Sequence, residues 1–382
     1  MARPKVVWIL GSGFSKHVGG PLLNELLTPR SMRELETLFP HPALPTLHAV
    51  YEIFRSHVKG ISNSPYWEHA EEFLSFVDSA ADPQSRRHKV TEDLCSQHKT
   101  QQFNGSPQEL RRRAAIAIAA ECIAFLSTID LDTESWQPYL QWGEAVSDPD
   151  AIITFNYDRV LEEMAEHPQR ICNFSQNTVQ IPNRLNVAAG SVPIYKLHGS
   201  VDWFLLRDPN GNQFTWLEPD LPKQLGLGFE PLIATPGNTK KNYCDEYLSD
   251  LWKASRDHLR EADVVVFMGY RFPPSDSQAV TSVLGALKDN DKSLRVHVVL
   301  GPDIRQPDTV RLEGLLRHTL KAKRTEVRDT RYKPVGNAKY FQLITHPLFA
   351  QDFMSVFTDR DLHGIDDATA FMGVLQREAD GN

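Results

Sequence analysis

Three short phrases, far apart in this chain, hold residue types that can do chemistry together. Gly11-Ser12-Gly13-Phe14-Ser15 follows the apolar run Val6 to Leu10, Asn156-Tyr157-Asp158 follows Ala151 to Phe155, and His198-Gly199 follows Pro193 to Leu197. A short continuous apolar run ending in a turn is the pattern of a strand covered on both faces, as in a parallel sheet. Such strands side by side release all three phrases at their carboxyl ends, where open α/β sheets bind ligands. The glycine turn permits close backbone approach to a pyrophosphate, and a helix opening behind it adds N–H groups and a positive dipole end. An amide donates and accepts without changing charge, and an imidazole titrates near neutrality and can take a proton from a hydroxyl or water. Together they suggest a dinucleotide held beside a reacting centre. Singly, each has a plain structural reading: a tight strand-to-helix turn, an asparagine capping a helix, and one packed histidine among 14.

The elements that must position these phrases follow from the pattern. Strand character returns at Leu232 to Ala234, Val264 to Met268 and Arg295 to Leu300, with helical stretches at Asp245 to Glu261 and Ser277 to Lys288. Strands alternating with helices predict parallel pairing and right-handed crossovers. The expected fold class is α/β, a Rossmann-like parallel sheet with helices on both faces, plus a helical insertion module. Within the insertion, Tyr66, Trp67, Ala70, Phe73, Leu74 and Val77 form one apolar stripe. Ser106-Pro107-Gln108-Glu109 reads as a capping box opening a helix to about Leu126. Asp82 to Gly105 is polar, lacks apolar periodicity and reads as a loop. The chain divides into a catalytic sheet domain (1–30 and 150–305), the helical module (31–149) and a C-terminal extension (306–382). The extension holds an amphipathic stretch at Leu348 to Phe357 and a weaker one near Ala368 to Leu375, and reads as an oligomer or partner contact.

Composition narrows the classes. A chain of 382 residues can bury one large core or two smaller ones without staples. A net charge of -8 argues against a broad electrostatic grip on nucleic acid, and Arg111-Arg112-Arg113 reads as a solvated helix face. The longest apolar stretch, Ala114 to Leu126, is interrupted by Glu121 and falls short of the roughly 20 residues of a bilayer span. Val6 to Leu10 is too short for a secretory apolar region. A cytoplasmic protein without membrane contact is expected. Cys95, Cys122, Cys172 and Cys244 are widely spaced, and no close pair exists with which a turn could aim two thiolates at one zinc. Buried reduced thiols and no metal are expected.

Taken together, the phrases resemble the sirtuin-like family of NAD-consuming enzymes, whose marks are a Gly-Ala-Gly-x-Ser loop, a Thr-Gln-Asn-x-Asp stretch and a His-Gly pair. The bacterial branch that hydrolyses NAD in antiviral defence is the most similar. Phe155 replaces the usual glutamine, and Leu22-Leu23-Asn24 stands after Gly20-Pro21 where much of the family has Asp-Phe-Arg. Gly269-Tyr270-Arg271-Phe272-Pro273-Pro274-Ser275-Asp276 resembles the branch's Gly-Tyr-Ser-Phe-Pro-Pro-Thr-Asp phrase, with Arg271 in place of serine.

The resemblance implies that NAD+ is bound as substrate, with no metal. Gly11, Ser12, Gly13, Phe14, Ser15 and Pro21 would hold the pyrophosphate. Asn156 would orient a water or the nicotinamide ribose, and Asp158 would accept from a ribose hydroxyl or hold the loop. His198 would take a proton from a ribose hydroxyl or attacking water. Gly269 and Tyr270 would complete the pocket, Arg271 would contact a phosphate or point to solvent, and Asp303 is a candidate for the adenosine ribose. The implied reaction is hydrolysis of NAD+ to nicotinamide and ADP-ribose in abortive defence, controlled by homo-oligomerisation or by a partner such as a HerA-type hexameric ATPase. Two alternatives use the same site. One is transfer to an acceptor by a deacylase or ADP-ribosyltransferase, against which the missing zinc cysteines speak. The other is a non-catalytic NAD or ADP-ribose sensor, which has no need of Asn156 and His198 together.

Overall fold

The computed structural model describes residues 3–28, 32–33, 35–36, 44–60, 70–99, 103–128, 130–166, 172–187, 189–207, 213–217, 224, 229–237, 239–273, 276–328 and 338–356. Tyr66, Trp67, Pro274, Ser275 and the stretch near Ala368 lie outside them.

The chain opens with β1 (Val6–Leu10), buried at every position, and turns at once into α1 (Ser12–Ser15). A helical region follows: α2 (Leu44–Gly60), α3 (Ala70–Ala81), α4 (Arg86–Gln97), α5 (Pro107–Ala124) and α6 (Gln137–Ala145). Next come β2 (Ala151–Thr154), α7 (Val160–Ala165), β3 (Ile194–Lys196), β4 (Gly199–Arg207), β5 (Gln213–Leu217) and β6 (Pro231–Ile233). Helices α8 (Lys240–Tyr247) and α9 (Ser249–Glu261) lead into β7 (Val264–Met268), α10 (Ser277–Asp289) and β8 (Leu294–Val299). The described chain closes with α11 (Pro307–Lys321), β9 (Thr325–Glu326), β10 (Tyr340–His346) and α12 (Ala350–Val356).

Among the described residues, seven strands in the order β3-β2-β1-β7-β8-β10-β9 form one sheet in which every pairing is parallel. This is the expected Rossmann-like α/β fold. Its register matters for function. Leu10 lies opposite Thr154 on one side and Met268 on the other, Thr154 opposite Lys196, and Met268 opposite Val299. The strands therefore end in line, and the residues that follow them leave the sheet at one edge. A second, antiparallel sheet, β5-β4-β6, begins where the chain passes His198.

Two apolar cores result. One encloses the parallel sheet and takes Trp136, Tyr139 and Trp142 from the α6 region. The other lies among α2, α3, α4 and α5 and is completed by Val201, Phe204 and Ile233 of the small sheet. The helical module is thus seated on β4 and β6. Ala114 to Ala120 of α5 is buried on every side, as a helix apolar all round requires.

Several expectations need correction. The span read as a loop, Asp82 to Gly105, contains α4, capped by Ser85, whose hydroxyl accepts from Arg87 N–H at 3.2 Å. The helix buries just Thr91 and Cys95, four residues apart, too few positions for an apolar period to show. Asp245 to Glu261 falls in two helices that meet at Leu248. The Ser106 cap is present, accepting from Glu109 N–H at 3.2 Å, but α5 ends at Ala124 and a 3-10 turn continues to Thr128. Residues read as part of an appended extension instead supply α11, β9 and β10, with β10 hydrogen-bonded between β8 and β9. Among the described residues, no helix is long and apolar enough to cross a membrane.

Candidate functional site

The aligned strand ends surround a cavity of about 390 Å³, within the range of about 300–1,000 Å³ for small-molecule sites. Of the residues expected there, Gly11, Ser12, Pro21, Asn156, Asp158, His198, Gly269, Tyr270 and Arg271 line it. Gly13, Phe14 and Ser15 stand behind that lining, and Asp303 is outside it. Asp303 is exposed, and its carboxylate accepts from Arg305 N–H at 3.0 Å in its own turn.

The glycine turn is moulded onto the end of β7. Gly11 N–H donates to the Met268 carbonyl at 3.1 Å, and Gly13 N–H to that of Gly269 at 3.2 Å. Gly269 has φ +70°, and a Cβ there would stand 2.4 Å from the Phe14 nitrogen. The two glycine-bearing turns therefore approach more closely than side chains permit. Phe14 is an internal anchor: its carbonyl accepts from the Tyr139 hydroxyl, and its ring meets Tyr139 and Trp142 edge-on at 5.1 and 5.4 Å. The helix after the turn is a single α-turn that runs on as a 3-10 turn to Val18. So short a helix carries little macrodipole, and the turn offers individual N–H groups rather than a dipole end.

Asn156 locks that turn from the neighbouring strand. Its Nδ2 donates to the Gly11 carbonyl at 3.1 Å and to the Ser15 hydroxyl at 3.0 Å. The carbonyl partner requires the nitrogen end of the amide to face it, which leaves Oδ1 as the acceptor end. The asparagine is therefore not the cap of α7. Asp158 holds that turn, its Oδ1 accepting from Val160 N–H at 3.1 Å. Burial pushes the Asp158 carboxyl above its ordinary pKa, against the pull of the Lys196 ammonium and the Ser15 hydroxyl. Lys196, itself buried, donates to the Asp158 carbonyl at 2.6 Å and to Glu162 at 2.9 Å, so the buried pair fixes the turn from below.

His198 is 5% exposed. Its ring meets Phe155 edge-on at 4.9 Å, and Phe155 stacks flat on Tyr270 at 3.8 Å. Nε2 lies 3.1 Å from Asp276 Oδ2, which also accepts from the Tyr270 hydroxyl at 2.7 Å, while Asp276 Oδ1 is 3.2 Å from Lys240 Nζ. Burial and then the Lys240 ammonium hold the His198 pKa below its ordinary value, although the Asp276 carboxylate pulls the other way. For Asp276, burial works against the charge, but His198, Lys240 and Tyr270 outweigh it and keep the carboxyl well below the usual carboxylate range. The resting site thus holds a neutral imidazole beside an ionised carboxylate and an ammonium.

Arg271 sits where the cavity opens to solvent. Its guanidinium is 47% exposed at the rim and pairs with Asp308 of α11 at 2.8 Å. Arg311 pins the same segment by donating to the Arg271 and Phe272 carbonyls at 2.9 and 2.7 Å.

Sequence reasoning missed several lining residues: Glu71 and Cys122 from the helical module, Lys240 from α8, and Asp276 and Asp308. Asp276 closes the Gly-Tyr-x-Phe-Pro-Pro phrase, which was the one available signal. The others have no local mark, since separate elements bring them to the cavity. The four cysteines are unpaired thiols, three buried and Cys172 half-buried. Among the described residues, no three His, Cys, Asp or Glu side chains cluster as a metal site would.

Residues 150–325 match the family model of the SIR2-like domain. Among solved structures, the chain is similar to one from "The Structural basis of Sirtuin Substrate Affinity", with 13% identity, covering 92% of this chain and 91% of that chain at TM-score 0.32. It is also similar to a serine-to-alanine mutant of a Sir2 homologue in complex with ADP-ribose, with 14% identity, covering 83% of this chain and 92% of that chain at TM-score 0.28. No curated protein matches.

Proposed function

From the premise that this chain is sirtuin-like, with a SIR2-like domain over residues 150–325, we propose that it is an NAD+ glycohydrolase. The domain supports NAD-dependent chemistry in general. The observation that carries the finer reading is the convergence of the Gly11–Ser12 turn, Asn156 and His198 on one cavity at the carboxyl edge of the sheet.

Nicotinamide is already an activated leaving group, so the protein must chiefly position the dinucleotide, tolerate a cationic ribose and admit water. The bond from C1′ to the pyridinium nitrogen breaks, and its electron pair leaves with nicotinamide, cancelling the ring charge. The water oxygen bonds to C1′, and its proton passes to His198 and on to solvent. The products are nicotinamide, ADP-ribose and a proton. In this reading the turn at Gly11 and Ser12 holds the pyrophosphate, and Asn156 fixes that turn with its N–H donors while its Oδ1 accepts from the water or ribose. The carboxylates of Glu71 and Asp276 on the cavity wall favour a developing positive charge. The same proposal makes NAD+ depletion the effector step of antiviral defence, gated by homo-oligomerisation or a HerA-type ATPase partner, on the strength of the motif resemblance.

The test is incubation with NAD+, alone and with a co-encoded partner, following nicotinamide and ADP-ribose by chromatography beside Asn156→Ala and His198→Ala. Stoichiometric release of both products by the wild type, lost in both variants, is expected. Tight NAD+ binding without turnover in every condition would replace the hydrolase with the sensor.

A further inference from the structure

We propose that Asp276 is the positioning partner of His198, a buried carboxylate held in place to receive the imidazolium that forms when the histidine takes its proton. This deepens the hydrolase reading and rests on it for its catalytic meaning.

The first observation is what Asp276 does not do. It occupies the N-cap position of α10, where an aspartate ordinarily turns back to accept from the first N–H groups of its own helix. Here it makes no such cap bond. Its carboxylate, 0% exposed, turns instead to His198 Nε2 at 3.1 Å. The second observation is how firmly it is held there. The Tyr270 hydroxyl donates to one oxygen, Lys240 stands 3.2 Å from the other, and the Asp276 backbone N–H donates to the Pro273 carbonyl at 2.9 Å. Three separate parts of the chain thus supply buried polar groups to the wall of the cavity, at a desolvation cost that apolar residues would not incur.

The arrangement fits a base better than a packed histidine. Nε2 stands 3.1 Å from the buried Asp276 carboxylate. A neutral ring meets that carboxylate without charge, whereas an imidazolium meets it as an ion pair. Asp276 therefore favours the protonated form that the reaction creates. Lys240 opposes it, keeping the ring free to accept a proton beforehand and Asp276 ionised throughout. Among the other titratable groups nearby, Tyr157 faces the ring at 6.3 Å between centroids, Tyr270 shares the Asp276 carboxylate, and the Cys244 thiol lies at the carbonyl of the preceding residue, Leu197. Phe155 and Trp252 supply the apolar walls.

Titration of the isotope-labelled histidine ring by NMR, with His198 assigned by its loss in His198→Ala, tests this without NAD+. Asp276→Asn should lower the His198 midpoint, and Lys240→Met should raise it. In turnover, Asp276→Asn should cut kcat on the order of a hundredfold, leave KM within a few-fold, and move the acid limb of the pH profile to lower pH. Asp276→Glu should recover part of kcat. A folded Asp276→Asn whose His198 midpoint does not move overturns the proposal. So does a loss of kcat in Asp276→Asn with an unshifted acid limb. Should Asp276→Asn fail to fold, an unmoved midpoint in Lys240→Met overturns it instead. The expected midpoint shifts with no turnover by any form would sink the hydrolase and leave the pairing intact.

Discussion

Gly199 shows how little room the residue scale leaves at this site. It follows His198 directly, has φ +80°, and a Cβ placed on it would stand 1.9 Å from the Leu232 carbonyl oxygen. The obstacle is backbone, so it cannot rotate aside. The residue is where the chain leaves the parallel sheet for the antiparallel one, and Ala234 N–H donates to the His198 carbonyl at 2.8 Å across the same turn. Gly199→Ala should cost about 2–4 kcal/mol, combining left-handed strain with displaced backbone, and should lower the urea midpoint accordingly. A change under about 0.5 kcal/mol would mean that the turn relaxes and the close approach is unimportant. The His-Gly pair was legible in the chain because a short phrase carries both a reactive ring and the backbone freedom it needs. Asp276 was half legible, as the end of a phrase, and Lys240 was not, because nothing beside it marks a lysine as buried.

At the scale of elements, α3 reaches from the helical module to the cavity at the sheet's edge. Its Glu71 lines the cavity, and Asp78, two turns on and so on the same face, binds the start of α8. Asp78 accepts from Thr239 N–H at 2.8 Å and from the Thr239 hydroxyl, beside Gly237, whose Cα leaves no room for a side chain. The next residue is Lys240. One helix of the module therefore caps the helix that carries the ammonium facing Asp276. Asp78→Ala should destabilise by about 1–2 kcal/mol, as loss of a cap does, and should lower turnover by misplacing Lys240 although Asp78 itself is outside the lining. Denaturant unfolding and turnover measured together check this, and full activity after such a loss of stability would show that the module merely supports the fold. Two elements escaped the sequence for physical reasons. Helix α4 buries too few residues to betray its period, and β10, whose burial does not alternate, has the mixed polarity of a strand near a sheet edge.

At the scale of the whole molecule, two neutral histidines set a dependence on acid, His346 buried and His258 half-buried. Burial, with Lys5 nearby and against Glu261 and Asp257, lowers His258 to about 4; its ring bonds the Tyr195 hydroxyl at 3.1 Å. Burial lowers His346 to about 4 where its Nε2 meets His297 Nδ1 at 2.9 Å and Phe353 closes over the ring. Unfolded histidines take protons near pH 6.5, so between about 6.5 and 4 the unfolded chain binds protons that the folded chain refuses. Stability is therefore full above that window and lost as the pH falls through it, on the order of 2 kcal/mol per histidine. Tm measured from pH 7.5 to 4 should fall below 6.5, and His258→Gln should flatten the slope; an unchanged slope in that variant would remove His258 from the account. The parallel sheet was legible at this scale, since apolar runs and turn phrases are local. The two-core arrangement was not, because Val201, Phe204 and Ile233 join the helical core from a sheet far along the chain.

Strand β1 lies inside the sheet, between β2 and β7. On the ribosome it emerges before either neighbour, and it lacks its β7 partner until residues 264–268 have been made. At about 5–20 residues per second that delay is roughly a quarter of a minute to most of a minute. The glycine turn it carries takes its shape from the Met268 and Gly269 carbonyls, so a polypeptide cut short by stalling or a premature stop before residue 264 holds the phrase without the cradle. A chain aborted before that point lacks the cradle by topology alone, so whatever chemistry the site performs waits for synthesis past the seventh strand.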